Sequence, residues 1–214
     1  MTQKQLEQQM SDDREPIFSI AVKPRETIRY VLQHKSLLYF LFIGAVGAFS
    51  SNLASFISTN YDPRYSLGEI LYASFVSGLL LFVITTVLIS LLLKTLGNVF
   101  GGKGKFKELF GAMCMTTVPY IWILPGLLFW MQLSPQSYFK MAKVEQTMGD
   151  MLLLFVGIAL VAIMAIWTFI ITLVGISEVH KFSKWKALFV FLIAFFVLAI
   201  ILGIVSVVLG IQLI

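Results

Sequence analysis

Gly97, Gly102 and Lys103 reproduce the spacing of a phosphate-binding P-loop, with four residues between the glycines and the lysine directly after the second. The chemistry does not follow. A P-loop needs a Ser or Thr hydroxyl next to the lysine to bind magnesium and a core strand ahead of the glycines. Here Gly104 comes next and the preceding stretch is an apolar helix. What remains is a flexible basic loop in which Lys103, Lys105 and Lys107 alternate with Phe106, a pattern suited to lipid headgroups or to an acidic patch on a partner. A second stretch repeats the theme: in GISEVHKFSKWKAL, residues 175–188, Lys181, Lys184 and Lys186 surround Phe182 and Trp185. An indole beside ammonium groups is an interfacial anchor. Glu178 and His180 have the types for a metal or proton-transfer pair, but two apart on a helix they point to different faces. Glu178 is therefore expected to pair with a nearby lysine or arginine. Cys114 is the single cysteine and has no partner for an internal disulfide. No nucleophile with a base, no HExxH and no carboxylate pair lies in an apolar segment, so catalysis, a bound metal and a cofactor are not expected.

The elements that must carry these residues are membrane spans. Hydrophobic residues make up 58% of the 214, charged residues 13%, and the mean hydropathy is +0.90, which is the composition of an integral membrane protein. Five apolar runs, 37–57, 70–93, 109–131, 151–176 and 187–214, are each long enough to cross a hydrocarbon core of about 30 Å at about 1.5 Å per helical residue. Thirteen of the sixteen lysines and arginines lie before the first run, between the second and third, or between the fourth and fifth; Arg64, Lys140 and Lys143 are the rest. That asymmetry puts the N-terminus in the cytoplasm and the C-terminus, after five crossings, outside. The net charge of +5 flanks the runs, so the expected partner is anionic lipid and not nucleic acid.

Residues 1–16 are polar and read as a mobile tail, and 17–36 as an amphipathic interfacial segment. Within it a helix is expected over 23–35, with Ile28, Val31 and Leu32 on one face and Arg25 and Arg29 among phosphates on another; the competing reading is a helix that packs on the other cytoplasmic loops. Pro119 and Pro125 interrupt the third run and release carbonyls at Met115 and Ile121, with Thr116 and Thr117 close enough to help. Either a kinked structural helix or a broken helix lining a pathway fits that pattern. Small residues recur at helical spacing in the first run (Gly44, Ala48, Ser51, Asn52, Ser55), more weakly in the second (Ser74, Gly78), and in the fifth (Ala199, Gly203, Ser206, Gly210), where helices could pack closely within one chain or between copies. Outside, Ser134, Pro135 and Gln136 start a turn, with a short helix expected over 138–148.

VKPRETIR at 22–29, GGKGKFKELFGAM at 101–113 and TLVGISEVHKFSKWKAL at 172–188 resemble bacterial members of the Yip family, five-span membrane proteins related to eukaryotic Golgi trafficking factors. The resemblance covers residues 18–214. It implies an all-α domain of five transmembrane helices with a cytoplasmic N-terminus, multi-pass in a bacterial cell membrane, and it carries over no catalytic residue. Eukaryotic members are associated with Rab GTPases; their Asp-Leu-Tyr-Gly-Pro type of motif is not in this tail. The expected function is a non-enzymatic scaffold or accessory protein. Its basic face, formed by Arg25, Arg29, Lys103, Lys105, Lys107, Lys181 and Lys184, binds anionic headgroups and a protein partner such as an ABC-type exporter or another envelope complex. The alternative is a small transporter or lipid-handling protein with its pathway at the proline-broken third span.

Overall fold

A polar residue ahead of each apolar run starts each long helix. Ser36 accepts the Tyr39 amide through its hydroxyl, Ser66 and Glu69 cap each other reciprocally, and Thr147 and Asp150 do the same. Glu108 accepts the Lys105 amide and Ser183 accepts that of Lys186. The computed structural model describes residues 15–60, 64–139 and 147–208, and in it helices α1 Pro16–Val22, α2 Pro24–His34, α3 Leu37–Ser55, α4 Leu67–Val99, α5 Phe106–Met115, α6 Val118–Leu133, α7 Pro135–Tyr138, α8 Met148–His180 and α9 Lys184–Val208 follow in order. Among the described residues five segments are long and apolar enough to cross a membrane: α3, α4, α5 with α6, α8 and α9. Capping from the polar flanks carries α4 and α8 to 33 residues each. At about 50 Å, they overrun a hydrocarbon core of about 30 Å.

Most of the tail and the last residues of the fifth run lie outside the described residues, as do Lys140 and Lys143. Pro16, expected in the tail, instead opens α1. The helix expected over 138–148 is not formed where it is described: Tyr138 ends α7, Phe139 is extended, and the stretch up to residue 146 lies outside the described residues.

The chain divides into two compact units. One holds residues 36–83 and 114–170. Its core is Leu53, Ala54, Leu127, Trp130, Met131, Tyr138 and Phe139. The small residues of α3 work in two directions: Ala48 and Asn52 pack on Gly78, with the Asn52 amide donating to the Ser74 carbonyl and the Ser77 hydroxyl, while Gly47 admits Thr117 of the third span. This is packing within the chain. Tyr138 donates its hydroxyl to the Leu53 carbonyl at 2.7 Å, near the end of α3 where carbonyls run out of helical partners. Burial pushes the phenol pKa up, which keeps it a donor. Tyr138→Phe is expected to cost about 1 kcal/mol, because the Leu53 carbonyl keeps a second donor in the Phe56 amide. A melting temperature in detergent equal to that of the parent would exclude this role.

The other unit holds 15–35, 84–113 and 171–208 of the described residues. Here α2 departs from the expected surface-lying helix: Ile28 and Val31 are fully buried. Ile28 lies near Gly175 of α8, with Ala112 and Met113 alongside. The helix therefore packs on protein. Phe18 and Val22 of α1 are the apolar side chains of this region that stay exposed. Of the small-residue stripe in α9, Ala199 is exposed and a Cβ at Gly203 would meet nothing within 4 Å.

Candidate functional site: a clasp at the end of helix α8

The last turn of α8 and the residues after it, Ser177 to Phe182, gather the basic segments of this unit. The helix ends because Lys181 takes a left-handed conformation, φ 59°, and the Phe182 amide turns back to the Ser177 carbonyl. The end of α4 uses the same device, with Gly101 at φ 79° and the Gly102 amide donating to the Gly97 carbonyl. Glycine adopts that conformation without strain; a lysine there is held by something else.

That something is Glu178. Its side chain is 5% exposed and takes Lys181 Nζ at 2.6 Å, Arg29 Nε at 2.9 Å and Arg25 Nε at 3.3 Å, from cations that are each about half exposed or more. The Glu178 hydrogen bond pushes the Arg29 guanidinium further up, so it stays charged. Arg25 also donates to the Ser177 hydroxyl at 3.2 Å, and that hydroxyl donates to the Phe182 carbonyl at 2.6 Å. The expected pairing of Glu178 is thus a threefold one, and Arg25 and Arg29, placed among phosphates by sequence, are anchored on a carboxylate.

His180 leaves the same turn on another face and holds the glycine loop. The Gly104 amide donates to Nδ1 at 3.1 Å, so Nε2 carries the hydrogen and donates to the Leu93 carbonyl at 3.1 Å. The ring stacks on Phe182 with centroids 5.0 Å apart. Gly97, Gly102 and Gly104 all back onto the imidazole, where a Cβ at the first two would overlap it. The glycine spacing that imitates a phosphate loop exists to admit a histidine. The loop is pinned, not flexible as expected.

Of the sequence-expected site residues, Arg25, Arg29 and Lys181 meet at Glu178. Lys103, Lys105, Lys107 and Lys184 lie exposed in the same unit, and none pairs with a carboxylate among the described residues. Its carboxylates there are Glu15, Glu26, Glu108 and Glu178, and the last three are engaged by Lys23, the Lys105 amide and the clasp. Trp185 stands 82% exposed beside Lys184. Pro119 and Pro125 belong to the other unit. The helix breaks at Thr116 and Thr117, and Pro119 falls in the first turn of α6, where no amide donor is needed, while Pro125 sits inside α6. Around the break Thr117 donates its hydroxyl to the Cys114 carbonyl at 2.9 Å and Ser50 donates to that of Tyr120 at 2.6 Å. Among the described residues no group of three His, Cys, Asp or Glu is arranged to hold a metal ion.

Five apolar helices with a caged histidine and a cation-bound carboxylate at the end of one of them define a multi-pass membrane protein that is nearly all helical among the described residues. The profile of the Yip1 domain matches residues 18–207, and the chain belongs to that family. No curated protein and no solved structure matches it.

Proposed function

We propose that this protein is a non-enzymatic membrane accessory protein whose lysine-rich face, turned to the cytoplasm, holds anionic headgroups and offers a docking surface to an acidic protein partner. The supporting observation is the set Lys103, Lys105, Lys107 and Lys184, exposed and without carboxylate partners among the described residues, in the unit that also displays Trp185. Cations left without protein counterions keep their full attraction for phosphate, and an exposed indole beside them suits headgroup depth. The orientation follows from the excess of cations on these segments.

Each cation near an anionic surface is worth roughly a factor of five, so replacing Lys103, Lys105 and Lys107 together with Gln is expected to weaken binding of detergent-solubilised protein to anionic vesicles about a hundredfold at low salt. The difference shrinks as salt rises. Equal binding by parent and variant at low salt would remove this reading.

A further inference from the structure

We propose that His180 is a pH-sensitive pin for the lysine loop: neutral, it holds Gly104 in place, and protonated, it lets the loop go. Both ring nitrogens are committed, one accepting from the Gly104 amide and the other donating to the Leu93 carbonyl. A proton on Nδ1 would set a donor against a donor. The ring cannot turn to escape, because Gly97, Gly102 and Gly104 pack against it and Phe182 covers a face. The loop must move instead. Lys103 and Lys105 flank Gly104, so the same step releases the lysines that the proposed headgroup site depends on; that consequence rests on the reading above, the pin itself does not.

The charged groups around the ring come from every element packed on it. Glu108 of α5 is the carboxylate whose charge reaches the imidazole. Glu178, two residues away on α8, is occupied by Arg25 and Arg29 of α2 and by Lys181. Lys94 follows Leu93 on α4, Lys103 and Lys105 belong to the loop itself, and Lys186 of α9 lies 5.5 Å from the centroid of the Phe182 ring that stacks on His180. With Glu178 so occupied, the Leu93 carbonyl and, after it, Glu108 favour the cation, and the released loop carries Lys103 and Lys105 away from the new charge.

The test uses the full chain in nanodiscs of neutral lipid, with Cys114→Ala and Lys103→Cys carrying a spin label. The label is expected to shift from immobilised at about pH 7.5 to mobile at about pH 5 along a one-proton curve, and to be indifferent to pH in His180→Gln. A spectrum unchanged over that range, or a shift that survives His180→Gln, overturns the pin. The protein has two histidines, so His34→Gln leaves His180 as the sole imidazole for NMR. Its conversion from the Nε2-protonated tautomer to the cation is expected to coincide with the label shift, and a ring still neutral at about pH 5 also overturns the proposal, whether or not His180→Gln folds. Neutral lipid keeps headgroup binding out of the readout. A flat result therefore sinks the pin alone, and failed vesicle binding at neutral pH sinks the lysine face alone.

Discussion

Gly97→Ala is expected to destabilise the folded protein by several kcal/mol, although alanine is the better helix former by about 1 kcal/mol. Gly97 lies in α4, and a Cβ there would overlap the His180 ring. Gly102 and Gly104 block the ring's retreat. Overpacking of this kind costs about 1–3 kcal/mol, and pushing the imidazole aside leaves the Leu93 carbonyl and the Gly104 amide to lose their buried partner, at a further 1–3 kcal/mol or so for each. Against a total stability of about 5–15 kcal/mol, most of the margin goes. Gly126→Ala supplies the opposite sign: Gly126 lies within α6 and a Cβ there meets nothing within 4 Å, so the helix preference acts alone and stabilises. Thermal unfolding in detergent, followed by size exclusion, reads both. If the two melting temperatures move in the same direction, the packing account of the glycine loop is wrong.

The second large effect is expected at Glu178. Glu178→Arg places a fourth cation where Arg25, Arg29 and Lys181 converge, removing three attractions and adding three repulsions. Removing the partner of a buried charge costs about 3–5 kcal/mol in a dry site; the cations here are half exposed, so water screens them and about 2 kcal/mol is the better expectation for loss of the carboxylate alone. The result should be undocking of α2, read as faster tryptic cleavage after Arg25, a site that every variant keeps, in the folded protein. Adding Arg29→Glu to Glu178→Arg restores one opposite-charge pair and should slow cleavage again. Cleavage rates that ignore both the reversal and the swap would show that α2 is held by Ile28 and Val31 without help from the clasp.

The five spans were legible because apolar runs of that length have one use in a chain with so few charges. Their true ends were less so: Ser66, Thr147 and Ser183 are polar residues outside the runs, and only as helix caps do they draw the flanks into helix. The prolines announced a broken third span, and the break sits at Thr116 and Thr117 because Pro119 is most easily placed in the first turn of a new helix. The helix α2 was legible as well, and packing on protein was one of its two readings, but the residues it docks on were not, since Gly175, Ala112 and Met113 lie far from it in the chain. At the site, the lysines and arginines were found by type and position alone. Their organisers were not. Gly104 and His180 are 76 residues apart, and no local pattern says that a glycine spacing serves a distant ring. The separation of Glu178 and His180 onto different faces was legible, and it is what lets one turn hold two segments.

At about 50 Å the two 33-residue helices exceed a hydrocarbon core of about 30 Å, so part of each is expected to stand outside it. The clasp's grips on Leu93, Gly97 and His180 fall on the ends of α4 and α8, which are stiff rods rather than tethers. A thicker or thinner bilayer can slide along such rods, wetting or covering a turn at modest cost, without altering the distances inside the clasp. Headroom above the lipid would then vary between membranes while the grip itself did not.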